Sequence, residues 1–319
     1  MRVYDFIIFG AGGTGLAAAM YSARLGLKTL VLGASNNSEL SIGGAITTTN
    51  IVENYPGFIK ITGEELAKKI EEHARSYNSV EIREEKAVEI KRHESYFEVK
   101  TEESEYQSKT VLFATGTKLR KLNIPGNKKY ENKGIHYCAI CDGAVFRDKI
   151  VAVIGDSDTA AKDALLLAEY SKKVYIISRE KNIRPEQIHL DRIKKNKKIE
   201  ILYSTNVIGI KGDKVVNKVV LDKKYNGNNE LKLDGVFIAI GRIPISDLAK
   251  KIGVRLNKWG EIMIDHKTSS TNIKGIFAAG DVTDKKFKQL ITGVADGCTA
   301  AYSAYEHIKK LGGKQNGRT

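Results

Sequence analysis

The stretch Asp5-Phe6-Ile7-Ile8-Phe9-Gly10-Ala11-Gly12-Gly13-Thr14-Gly15 decides the fold. Its first five residues form an apolar run with strand character. A glycine turn follows, and then Ala17, Ala18, Ala19 and Tyr21-Ser22-Ala23-Arg24 read as a helix. Lys28-Thr29-Leu30-Val31-Leu32 reads as the next strand. A glycine fingerprint carries weight only inside such a strand–turn–helix–strand frame. Within it, Gly10 permits the tight turn, Gly12 lets the backbone approach a pyrophosphate, and Gly15 lets helix and strand pack closely. The helix N-terminus then faces the phosphates. An acid is expected to end the second strand and hold the ribose hydroxyls. Gly33 stands there instead, and Glu39 reaches that place only through a longer loop.

The same frame recurs from Lys149. Ile150-Val151-Ala152-Val153-Ile154 is a strand run, Gly155-Asp156-Ser157-Asp158-Thr159-Ala160 a turn, Ala161 to Tyr170 a helix, and Lys173-Val174-Tyr175-Ile176-Ile177 a further strand. Ser157 occupies the place of the second glycine, where a side chain hinders a pyrophosphate. Asp156 and Asp158 add negative charge there. Two such frames predict an α/β chain with two nucleotide-binding, Rossmann-like, three-layer domains. A length of 319 residues fits about two domains of ~150 residues.

Between the frames lies Cys138-Ala139-Ile140-Cys141-Asp142-Gly143. Two cysteines at this spacing close a small disulfide ring that exchanges electrons through a thiolate. Asp142 offers a proton donor beside the sulfurs. The spacing also suits half of a zinc site or an inert buried pair. The other cysteine, Cys298, is single, and none of the six histidines stand at zinc-finger spacing, so no metal is expected. Cys298 reads as a packed small residue.

The composition, 42% hydrophobic and 28% charged, is that of a soluble globular protein. No apolar run reaches the ~20 residues of a membrane span. Strand character begins at Val3, with no signal peptide ahead of it, and three cysteines do not suit a secreted disulfide scaffold. A cytoplasmic protein is expected. The net charge of +14 includes the run Lys194-Lys195-Asn196-Lys197-Lys198. No aromatic residues interleave it, which favours a solvated helix end over nucleic-acid binding. A basic surface also suits an acidic protein partner.

Taken together, these segments resemble the low-molecular-weight thioredoxin reductase family over nearly the whole chain. Gly43-Gly44-Ala45-Ile46-Thr47-Thr48-Thr49 and Val52-Glu53-Asn54-Tyr55-Pro56-Gly57 are similar to the segment that wraps the flavin. Val111-Leu112-Phe113-Ala114-Thr115-Gly116 is similar to the strand and turn closing the first half of its flavin domain. Ile276-Phe277-Ala278-Ala279-Gly280-Asp281-Val282 resembles the late flavin motif, and Gln289-Leu290-Ile291-Thr292 with Asp296-Gly297-Cys298 the segment after it.

The resemblance implies a discontinuous FAD-binding domain over 1–116 and 246–319, with an NAD(P)-binding domain inserted over 117–245. FAD would be held by Gly10, Gly12, Gly13, Thr14, Gly15, Gly43, Gly44, Ala45, Thr48, Asn54, Ala114, Thr115, Gly116, Gly280, Asp281, Gln289, Leu290 and Ile291. NADPH or NADH would lie on Gly155, Ser157, Thr159, Ala160, Arg179 and Arg184. The implied path runs from nicotinamide to flavin, to the Cys138–Cys141 disulfide, and on to thioredoxin or a thioredoxin-like protein disulfide. Cys141 would face the flavin, Cys138 would attack the partner, and Asp142 would act as general acid–base. A homodimer is also implied. The family's NADPH motif is a His-Arg-Arg triplet with a later arginine. Here Ser178-Arg179-Glu180-Lys181-Asn182-Ile183-Arg184 keeps Arg179 and Arg184 but departs at Ser178 and Glu180. Glu180 would repel a 2′-phosphate unless Lys181 compensates. NADH, a non-nicotinamide donor such as ferredoxin, a different disulfide partner, and a non-catalytic redox-sensing flavoprotein therefore stay open.

Overall fold

The computed structural model describes residues 2–33, 41–49 and 51–315. The chain opens with β1 (Arg2–Phe9), α1 (Gly13–Arg24), β2 (Thr29–Leu32), α2 (Gly63–Arg75), β3 (Val80–Arg83), β4 (Ala87–Arg92), β5 (Phe97–Thr101), β6 (Glu105–Phe113) and β7 (Thr117–Leu119). It continues through α3 (Asn127–Tyr130), β8 (Ile135–His136), α4 (Ala139–Asp142), β9 (Ile150–Ile154), α5 (Asp158–Tyr170), β10 (Lys173–Ile177), α6 (Gln187–Lys195), β11 (Ile199–Leu202), β12 (Val207–Gly212), β13 (Val216–Tyr225), β14 (Asn228–Lys232) and β15 (Gly235–Ile238). It closes with β16 (Arg242–Pro244), α7 (Asp247–Lys251), β17 (Ile276–Ala278) and α8 (Leu290–Gln315). Contacts divide it into two compact units, Met1–Lys118 with Ile243–Thr319, and Leu119–Arg242. The second is thus inserted into the first, and β7 pairs with β16 where the chain leaves and returns.

In the first unit a seven-stranded sheet runs in the order β3-β2-β1-β6-β5-β4. The three pairs from β3 to β6 are parallel, while β5 pairs antiparallel with β6 and with β4. The second half of β6 also takes β17, parallel. The strand period of two sorts β1 between two cores. Phe6 and Ile8 pack with Ala18, Ala19, Ala300 and Ala304 of the helices. Ile7 and Phe9 pack on the opposite face with Tyr106, Val254 and Ile262. The helix α2 is amphipathic and opens on a capping box, Thr62 with Glu65.

The second unit has a parallel sheet in the order β11-β10-β9-β15-β8 and an antiparallel meander, β12-β13-β14. Val151 and Val153 face α5, while Ala152 and Ile154 face a core shared with the meander residues Ile210, Val219 and Leu231. These two cores separate three layers. Both helices that follow a glycine turn start earlier than the apolar pattern suggested, α1 at Gly13 and α5 at Asp158, because the end of each turn already forms the first helical turn. The lysine run closes α6, whose last turn holds Arg192, Lys194 and Lys195; basic side chains are favoured there by the helix dipole. Among the described residues, no helix is long and apolar enough to cross a membrane.

Candidate functional site

The glycine turn of the first unit is forced by contact as well as by conformation. Gly10 has φ 116°, and a Cβ there would lie 2.2 Å from the Ala114 carbonyl oxygen at the end of β6. The turn of the second unit repeats this: a Cβ on Gly155 would lie 2.3 Å from the Ala239 carbonyl oxygen after β15. Gly15 meets the turn from the helix side, where a Cβ would stand 1.9 Å from the Gly10 carbonyl oxygen. Ala160, buried, takes the corresponding place on α5.

The two helix N-termini differ. The first turn of α1 carries no acid, and its N-cap, Gly12, supplies no side-chain hydrogen bond. The leading N–H groups of that helix are therefore left for an anionic group, and a Cβ on Gly12 would meet nothing nearer than 3.8 Å. By contrast, Ser157 caps α5, its Oγ accepting from the Ala160 N–H at 3.5 Å, and Asp158 stands in the first turn. Burial works to raise the Asp158 carboxyl, but Lys162, the Glu186 N–H and His189 prevail and hold it below the usual range. Asp158, Glu186 and His189 bring ligand atoms within 4.8 Å of one another. The Asp158 carboxylate is taken there by Lys162 at 2.8 Å and His189 Nδ1 at 2.7 Å.

The residues expected to hold flavin all lie in the first unit. Gly43 is bridged to Gly12, and Gly44, Ala45 and Thr48 form the short 3-10 helix after it. Thr48 Oγ1 donates to the Ala45 carbonyl at 2.9 Å. Asn54 Nδ2 donates to Gln289 Oε1 at 3.2 Å, joining the 52–57 segment to the residue before α8. Leu290 packs against Gly13, whose Cβ would stand 2.5 Å from Leu290 Cδ1, and Ile291 follows it in α8. Thr14 lies against Gly280 and Gly293. Ala114 is buried, Thr115 Oγ1 donates to the Ile245 carbonyl at 2.6 Å, and the Gly116 carbonyl accepts the Ile245 N–H at 3.0 Å. Asp281 lies in the 3-10 turn Gly280–Val282, and Lys288 Nζ donates to its carbonyl at 3.0 Å. Glu39 falls outside the described residues. An uncapped helix N-terminus beside an open glycine turn fits the pyrophosphate of FAD.

In the second unit, Cys138 and Cys141 are disulfide-bonded. Cys138 is the N-cap of α4 and its Sγ accepts the Cys141 N–H at 3.2 Å. Cys138 is half-buried and Cys141 exposed. The Asp142 N–H donates to the Cys138 carbonyl at 3.2 Å. The Asp142 carboxylate is not a bare turn residue: Oδ2 stands 2.8 Å from His136 Nδ1. Cys298 is a free, half-buried thiol whose pKa burial pushes up, which keeps it protonated and inert.

The nicotinamide segment folds back on its turn. Arg184 N–H donates to the Asp156 carbonyl at 2.7 Å, and its guanidinium meets Asp156 Oδ2 at 2.6 Å. Arg179 pairs with Glu180 at 3.3 Å. Both arginines are exposed, and each already faces an acid of this chain. The partner of Glu180 is thus Arg179, where the sequence suggested Lys181. Ser178 is buried and its hydroxyl bonds both backbone groups of Glu180. Thr159 is exposed beside Ser157. Sequence reading missed His136 and the acid partners of the arginines. The one signal for His136 was a titratable residue two positions before Cys138.

The family model for pyridine nucleotide-disulphide oxidoreductases matches residues 4–297. The chain is 40% identical over 312 residues to a 34.2 kDa protein in the rubredoxin operon of Clostridium pasteurianum, covering 97% of this chain and 98% of that one. It is 36% identical to the thioredoxin reductase of Bacillus subtilis, covering 97% and 96%. Its structure is similar to that of Lactococcus lactis thioredoxin reductase, with TM-score 0.90 and 37% identity over 96% of this chain and 99% of that one.

Proposed function

The chain belongs to the pyridine nucleotide-disulphide oxidoreductase family, and from that premise we propose that it is a thioredoxin reductase, a flavoprotein that passes electrons from a reduced nicotinamide to the disulfide of a thioredoxin-like protein. The observation that carries this reading is the Cys138–Cys141 disulfide with Asp142 beside it. A zinc half-site or an inert pair gives no reason for the acid directly after the second cysteine to be held by a histidine. Bound FAD would supply the two-electron relay between a reduced nicotinamide and a disulfide. The residues of this chain do the rest. The α1 N-terminus and Gly12 would hold the pyrophosphate, and Gly43, Gly44, Asn54, Asp281 and Gln289 would bind other parts of the flavin cofactor. Cys138 attacks the partner disulfide; the Cys141 N–H on its sulfur stabilises the thiolate. Cys141 then closes the ring again, and Asp142 moves the thiol protons. A ferredoxin donor, another disulfide partner and non-catalytic redox sensing are not favoured.

The donor follows from charge. A 2′-phosphate carries nearly two negative charges and is recognised by unpaired arginines. Arg179 and Arg184 are each paired with an acid, which supports NADH over NADPH. A homodimer, which rests on the likeness, and a cytoplasmic setting, which rests on cysteine usage, belong to the same proposal. Neither nucleic acid nor a membrane is proposed as a partner. Replacing Cys141 with Ser tests the reading: the variant should keep its bound flavin and lose turnover with thioredoxin. Retained turnover would exclude the dithiol relay.

A further inference from the structure

His136 ends the edge strand β8 and pairs in register with Phe237 of β15. Its ring stacks on Phe237, centroids 5.5 Å apart at 28°, and meets Phe146 edge-on at 5.2 Å. The side chain is 14% exposed. A hydrocarbon ring would fill this aromatic cage as well, so packing alone does not call for an imidazole. What the imidazole adds is Nδ1, 2.8 Å from Asp142 Oδ2. A carboxylate only accepts hydrogen bonds, so Nδ1 carries the proton and the tautomer is fixed. The aromatic cage holds the ring, and the ring holds one carboxyl oxygen, with Oδ1 outside that contact.

We propose that His136 is a positioning residue for Asp142 in proton transfer at the Cys138–Cys141 pair. The inference rests on the reductase reading above. In the exchange, the partner's S–S bond breaks and the Cys138–Cys141 bond forms. The two electrons of the enzyme dithiol pass to the partner sulfurs, and its two protons go with them. Asp142 accepts a thiol proton at Oδ1 and returns it to the departing thiolate, while the His136 N–H keeps Oδ2 fixed. An aspartate free to rotate would spend part of its time turned from the sulfur, and general acid–base assistance depends on that reach.

The test needs neither nicotinamide nor thioredoxin. The holoprotein is reduced with dithiothreitol, desalted anaerobically and mixed with 2-hydroxyethyl disulfide, and remaining thiols are counted by mass after acid quench. His136→Phe keeps the ring in its cage and should slow dithiol oxidation about tenfold or more at unchanged melting temperature. His136→Asn restores an N–H near the Nδ1 position and should recover most of the rate. Asp142→Asn should be slow, and His136→Phe added to it should cost nothing further, because a residue acting through another shows full coupling. Wild-type rate in His136→Phe, or additive losses in the double variant, would overturn the proposal. Failure of the wild-type dithiol to react with any disulfide would instead overturn the reductase reading beneath it.

Discussion

Gly15 and Asp156 show how differently residues speak from a sequence. The Gly15 requirement comes from local geometry, a Cβ 1.9 Å from a backbone oxygen, and a local pattern reveals it. Gly15→Ala should destabilise the protein by about 1–3 kcal/mol and lower its flavin content, read by denaturant unfolding and by absorbance per chain. Asp156 finds Arg184 28 positions away, through a segment that folds back on the turn. Nothing in the residue types announces that pairing, and the same two arginines looked ready for a phosphate. The double variant Asp156→Ala/Glu180→Ala frees both guanidiniums and should tighten NADPH by about tenfold or more, since a hydrogen bond to a charged group is worth about 1.5–3 kcal/mol. Isothermal calorimetry reads this directly. Unchanged NADPH affinity would mean that neither arginine faces the nucleotide. His136 was equally hidden: its distance to Asp142 depends on how β8 enters α4.

At the scale of elements, the strands and helices bearing nucleotide turns were legible because apolar runs, small residues and glycines follow in a fixed order. The β4–β5 hairpin and the β12–β14 meander carry no such motif and were not read. One signal was available: Asn226-Gly227, both with positive φ (49° and 83°), is the pair that favours a two-residue hairpin turn. The cap on α5 gives a prediction of its own. Ser157→Gly removes the side chain from the phosphate position at a cost of only a few tenths of a kcal/mol in capping. It should tighten nicotinamide binding by up to about tenfold, read by calorimetry with NADH. A second prediction concerns Glu85, 7% exposed after β3. Burial works to raise its carboxyl, but hydrogen bonds from Thr101, Arg83 and Tyr106 prevail and hold it below the usual range. An unfolded glutamate titrates near 4.3, so this contribution is complete above that pH and is lost as pH falls through the lower folded value. Glu85→Gln should therefore melt lower than wild type at pH 7, by about 1–3 kcal/mol, and the difference should close on acidification below pH ~4.

Across the whole molecule, two glycine turns and one Cys-x-x-Cys sufficed to read two units of the same architecture, and the late segment around Gly280 and Asp281 returned the chain to the first of them. The insertion itself could be seen only through the resemblance, because no local physical signal marks a domain whose two halves lie over a hundred residues apart. The account joins these parts into one electron path, and that path has a stoichiometry. Both the flavin and the Cys138–Cys141 disulfide accept an electron pair. Anaerobic titration of the yellow holoprotein with NADH, following flavin absorbance, measures it. Full bleaching should take twice as much NADH in the wild type as in Cys141→Ser, with NADPH acting only at higher concentration. If neither nucleotide bleaches the flavin while dithionite does, or if wild type and Cys141→Ser consume equal amounts, electrons do not run from nicotinamide through flavin to this dithiol.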